Sequence, residues 1–81
     1  MTEIKAGMLL KHFKGGLYKV IARGQHSETL EVLIVYQNCD AGDIWARPES
    51  MFFELVEYEK ELVQRFTIID WHFDYFWVSY L

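Results

Sequence analysis

Closely spaced chain breakers limit what this chain can fold into. Lys14-Gly15-Gly16, Gly24-Gln25-His26-Ser27, the turn-rich stretch from Asn38 to Asp43, and Pro48 divide it into short runs. Gly7 to Phe13 has strand composition. Leu17 to Arg23 alternates, with Tyr18, Val20 and Ala22 on one face and Leu17, Lys19 and Ile21 on the other. Two such runs joined by Gly-Gly predict a hairpin. Leu30 to Tyr36 is the most apolar run, rich in branched residues, and predicts the central strand. Ile44 to Arg47 follows as a short strand. Pro48 cannot donate to a ladder, so that strand ends there or lies at an edge. Pro48 to Phe52 predicts one helical turn, with proline at the position where a missing N–H costs nothing. Phe53 to Tyr58 predicts a strand, Glu57 to Glu61 a solvated charged turn, and Leu62 to Ile69 a return to the β pattern.

This spacing predicts a mostly β protein: a small SH3-like barrel or strongly bent antiparallel sheet of five to six strands, with one short helical turn. Residues 1–66 form the domain, and 67–81 form an aromatic C-terminal extension. Eighty-one residues make one domain, which buries only about 60–65% of its unfolded surface. Cys39 is the single cysteine, so no internal disulfide supports that core, and a lone thiol fits a reducing, cytoplasmic setting. The segment Met1 to Lys5 lacks the pattern of an export signal. No run of about twenty apolar residues predicts a membrane span.

Charge is uneven. Residues 1–26 carry five cations against Glu3, whereas residues 27–81 carry three cations against eleven acids. A weak basic face on an acidic body is a poor binder of duplex nucleic acid, which needs many cations with few anions nearby. A small anionic ligand or a protein partner suits it better.

Several groups are candidate sites. His26, Ser27, Glu28 and Thr29 put four polar side chains at a strand entrance, either gripping a ligand or satisfying the turn's own backbone. Trp45 and Arg47 are two apart and share a strand face, a platform for a planar or anionic group. The bland alternative is Arg47 bridged to Glu28 or Glu31. His12 and Lys14 flank Phe13, and Lys14-Gly15-Gly16 either turns amides toward an anion or simply makes a tight hairpin. Tyr18, Tyr36, Trp45, Met51 and Phe52 read most simply as core. One or two of them become an aromatic pocket wall if they reach the surface beside Arg47. No paired spacing of metal ligands occurs, and no cofactor is expected.

Several elements then appear in order: His12-Phe13-Lys14-Gly15, Tyr18-Lys19-Val20, His26-Ser27-Glu28-Thr29, Val35-Tyr36-Gln37, Trp45, Arg47-Pro48, Met51-Phe52 and Arg65-Phe66. Together they resemble a bacterial and phage family known only as domain of unknown function 1653. The resemblance runs over about sixty residues and implies a small β-barrel, with no established reaction, cofactor or partner. It stops at Phe66.

Beyond Phe66, a strand would place Ile69, Trp71, Phe73, Tyr75 and Trp77 on one face, with Asp70, His72 and Asp74 opposite. After Phe76 both faces are apolar. Burying one large side chain is worth roughly 1.5–3 kcal/mol, so this segment is expected to pack on its own barrel or on another subunit. A homo-oligomer interface suits it, and a helix laid across the barrel mouth is the structural alternative. Three functions follow from these readings. One is a non-catalytic binding module that sequesters a small anionic or nucleotide-like ligand. Another is a protein adaptor or inhibitor, of a type that phages encode, acting through the rim or tail. The third is a small enzyme using His26 and Glu28 as acid and base.

Overall fold

The computed structural model describes residues 3–70, and within that span the chain is mostly β. Seven strands form: β1 (Leu9–His12), β2 (Leu17–Gln25), β3 (Val32–Asn38), β4 (Ile44–Pro48), β5 (Leu55–Tyr58), β6 (Glu61–Gln64) and β7 (Phe66–Asp70). One 3-10 turn, Glu49–Met51, follows Pro48 as that proline predicts. Five strands make an antiparallel sheet in the order β4-β3-β2-β1-β7, and β5 pairs with β6 in a separate ribbon. β4 and β7 stand at opposite edges without meeting. The bent-sheet alternative therefore describes the molecule and a closed barrel does not.

The expected hairpins form where turn chemistry is local. His12 and Gly16 exchange the closing contact, with the Gly16 carbonyl accepting from the His12 N–H at 2.8 Å. Gly15 takes φ +107°, which L side chains rarely adopt. Two differences from the sequence reading concern where strands begin and end. The run from Leu62 to Ile69 is not one strand but two, which raises the strand count to seven. It breaks at Arg65, whose N–H turns to the Glu54 carbonyl (2.9 Å) while the Phe66 N–H reaches the Phe52 carbonyl (2.9 Å). Similarly, Leu30 lies outside β3: its φ of 63° closes the preceding turn, and the strand begins at Val32.

Thr67 to Asp70, grouped with the extension in the sequence reading, belongs to β7 and lies beside β1, Leu10 facing Ile68 and His12 facing Phe66. The core gathers Ile4, Met8, Leu10, Val20, Ile34, Tyr36, Phe52 and Phe66 on one face of the sheet. The ribbon touches the residue that follows β1 through Tyr58, whose ring meets Phe13 edge-on at 5.2 Å. Arg23 fastens the N-terminal segment over the core. Its guanidinium donates to the Ile4 carbonyl at 3.1 Å and grips both oxygens of Glu49. Among the described residues no helix is long and apolar enough to cross a membrane.

Candidate ligand-binding recess

Register places the polar residues of β4. Trp45 lies opposite Tyr36, and Arg47 lies opposite Ile34. Tyr36 and Ile34 are both buried in the core, so pleating points Trp45 and Arg47 to that same side. β4 is an edge strand, however, and cover runs out there: Trp45 is 54% exposed. The result is a recess of about 220 Å³. Tyr36 and Phe66 line its inner part, their centroids 5.7 Å apart and nearly perpendicular. Tyr18 and His12 add two more rings, Trp45 forms the outer wall, and Asp43 and Arg47 supply the charges.

The polar groups are oriented. Arg47 Nε donates to Tyr36 Oη at 3.3 Å, leaving the two terminal nitrogens of the fork and the Tyr36 proton for other acceptors. Asp43 accepts the indole N–H of Trp45. His12 Nδ1 accepts from the Lys14 N–H at 3.1 Å, which assigns the imidazole proton to Nε2. Partial burial pushes the His12 pKa below its ordinary value, and the positive charges of Arg47, Arg65 and Lys14 push it the same way. The inner recess is therefore a donor-rich place at positive potential.

The sequence-derived candidates separate into two groups. His12, Tyr36, Trp45 and Arg47 meet in the recess, with Lys14 joined to it through its backbone. The loop amides of Lys14 and Gly15 are engaged by His12 itself, so this turn is a hairpin rather than an anion cradle. His26, Ser27, Glu28 and Thr29 sit instead at the far tip of the β2–β3 hairpin, beyond the start of β3, which is itself about 13 Å from Tyr36 at ~3.3 Å per residue. There His26 Nδ1 accepts from the N–H groups of Glu28 (3.1 Å) and Thr29 (3.3 Å), and Thr29 Oγ1 accepts from Glu31 N–H (3.2 Å). That is the backbone-satisfying arrangement. Among the described residues no carboxylate pairs with Arg47; the ion pairs there are Arg23 with Glu3 and Glu49, and Arg65 with Glu54. The expected bridge from Arg47 to Glu28 or Glu31 is therefore not made.

Asp43 and Phe66 were not singled out as site residues from sequence. The alternation Asp43, Trp45, Arg47 carries the signal for the first; nothing local carries the second. Of the tail residues, Ile69 lies on β7 and is half-exposed, whereas Trp71, Phe73, Tyr75, Phe76 and Trp77 lie outside the described residues.

Two larger hollows hold less available chemistry. A groove of about 480 Å³ beside Val32 and Phe53 is edged by Glu31, Glu49 and Glu54, but Arg23 and Arg65 neutralise the last two. A hollow of about 530 Å³ spans Gly15 to Leu17 and Asn38 to Ala41. Its amides are consumed locally, with Asn38 Oδ1 accepting from Asp40 (2.8 Å) and Ala41 (2.7 Å). Cys39 there is an exposed free thiol.

Fold and site together define a small antiparallel β protein whose unspent polar chemistry is gathered beside an open sheet edge. The chain belongs to the family described as "Protein of unknown function (DUF1653)", whose model matches residues 8–68. Six of the seven residues lining the recess, all but Asp43, fall within the sequence elements that carry the family resemblance. A crystal structure of a protein belonging to the same family, from Bordetella bronchiseptica, is similar with a TM-score of 0.71 at 24% identity. The match covers 83% of this chain and 88% of that one, and it is a likeness of fold. No curated protein matches the chain.

Proposed function

We propose that this protein is a non-catalytic binding module that holds a small anionic or nucleotide-like group in the recess beside β4. The observation that carries this reading is Arg47. Its guanidinium is braced by Tyr36 and lines the same recess as five ring-bearing residues, and no carboxylate among the described residues pairs with it. A half-buried cation with no carboxylate paired to it favours an anionic guest. The acid–base alternative has less support, because His26 spends Nδ1 on backbone amides rather than orienting a nucleophile. In this reading the protein acts in the cytoplasm by sequestration.

Thermal unfolding tests the proposal. Nucleoside monophosphates and small carboxylates at millimolar concentration are expected to raise the Tm of the wild type, since a ligand at 100 times its Kd adds about 2.7 kcal/mol. They are expected to leave Arg47→Met unmoved. A wild type that none of them stabilises refutes the reading.

A second reading, an adaptor or inhibitor of another protein, rests on the β4 edge. Ile44 is 59% exposed there, beside Trp45, on a strand paired on one side only. Self-association through the tail belongs to the same reading, and solution mass before and after truncation at Asp70 tests it.

A further inference from the structure

We infer that the recess selects a flat ring bearing a single carboxylate, in preference to a phosphorylated nucleotide. The inference rests on the binding reading above and narrows its ligand class. Three observations carry it.

The first is size. At about 220 Å³ the recess falls below the roughly 300–1,000 Å³ of pockets that enclose drug-sized ligands. It seats one ring and a small substituent, while a nucleotide with its base inside would leave the sugar and phosphate in solvent at the open edge.

The second is wall chemistry. Five of the seven lining residues carry rings. The inner rings already pack edge-to-face, Tyr18 against Tyr36 at 5.4 Å and Tyr18 against Phe66 at 5.6 Å. An aromatic guest seated against Trp45 continues that packing, which a puckered ring of equal volume does not.

The third is charge count. Arg47 is the one cation in the lining, and Asp43 stands on the same strand face with its carboxylate fixed by the Trp45 indole. A carboxylate brings one charge and two coplanar oxygens, which match the two terminal nitrogens of the Arg47 fork. A phosphate monoester brings about −1.5 to −2 at pH 7 and sets the excess against Asp43. The Tyr36 hydroxyl and His12 Nε2–H add donors, again suited to an acceptor-rich group.

The test compares three probes by NMR titration of the full chain: benzoate, cyclohexanecarboxylate and adenosine 5′-monophosphate. The signals followed are the Trp45 indole N–H and the His12 ring protons. Benzoate is expected to bind about tenfold or more tightly than either other probe. Arg47→Met is expected to weaken it by about tenfold or more, and Arg47→Lys, which keeps the charge but loses the fork, by several-fold. A seated carboxylate also offsets the cationic field on His12, so its pKa rises on binding. Adenosine monophosphate binding the same site more tightly than benzoate overturns the inference and leaves the binding reading standing. Benzoate shifts that survive both Arg47 variants overturn it too. If no probe shifts either signal, the inference and the binding reading both fall.

Discussion

The turn at His26–Thr29 and the recess at Trp45–Arg47 both present polar side chains in sequence, yet they differ in where their hydrogen bonds go. In the turn, the imidazole and the threonine hydroxyl accept from amides two or three residues away. In the recess, side chains from β1, β2, β3, β4 and β7 converge, and several donors point at no backbone group. A polar cluster whose partners are its own neighbours is structure. One assembled from distant strands with donors to spare is a place for something else. The lesson is that polarity marks both, and only partner identity separates them.

The largest expected effect falls on the floor of the recess. Phe66→Ala removes a ring that is core and pocket wall at once, and should lower the unfolding free energy in urea by about 3–5 kcal/mol. His26→Ala removes an acceptor shared by two exposed amides and should cost about 1 kcal/mol, with probe binding at the recess unchanged. Loss of probe binding in that variant would break the comparison.

The turn also holds strain that the recess does not. Leu30 adopts φ 63° while 65% exposed, so Leu30→Gly should stabilise by about 0.5–1 kcal/mol once glycine's own entropy cost is counted. The β5–β6 hairpin shows the same pattern, turning through Glu59 (φ 50°) and Lys60 (φ 67°), where Asn-Gly is the usual solution. A destabilised Leu30→Gly protein would show that the leucine side chain packs in a way its exposure hides.

The smallest effects are in pH. The folded protein holds His12 below its ordinary value of 6.5, so the unfolded chain binds the proton more readily. His12 therefore contributes no loss above 6.5, and stability falls as pH drops from there through its folded value. His12→Gln should flatten that upper window. Glu49 opens a second window below its ordinary 4.5. The side-chain hydrogen bond from Arg23 is the main cause, reinforced by the Ile4 N–H and the Arg23 charge and opposed by partial burial. Its contribution is present above 4.5 and lost as pH falls through the folded value, and Glu49→Gln should remove it. Urea midpoints measured from pH 8 to pH 3 on the three proteins separate the windows.

Much of the local architecture was legible. The alternation predicted along Leu17 to Arg23 breaks after Val20, where a bulge puts Ala22 opposite Val35 and so on the other face. The branched run ending at Tyr36, the Gly-Gly hairpin and the proline-started turn each appear where the residues place them. Each depends on neighbours within a few positions. Half of the recess was legible for the same reason: Trp45 and Arg47 share a face because two-residue periodicity leaves no choice. The remainder needed contacts across the chain. Ile4 is wholly buried although it precedes the first strand-like run, because Arg23 and Glu49 hold its backbone. Phe66 reaches the recess because β7 pairs with β1, more than fifty positions earlier.

By itself, then, the sequence determined most of the strands and turns, and which side chains share a strand face where no bulge intervenes, since sterics and alternation act over a few residues. Tertiary structure decided the order β4-β3-β2-β1-β7, and with it which edge stayed open and which polar residues met there. Those choices are settled by which non-local pairings repay the entropy of closing their loops, and no local pattern encodes that balance.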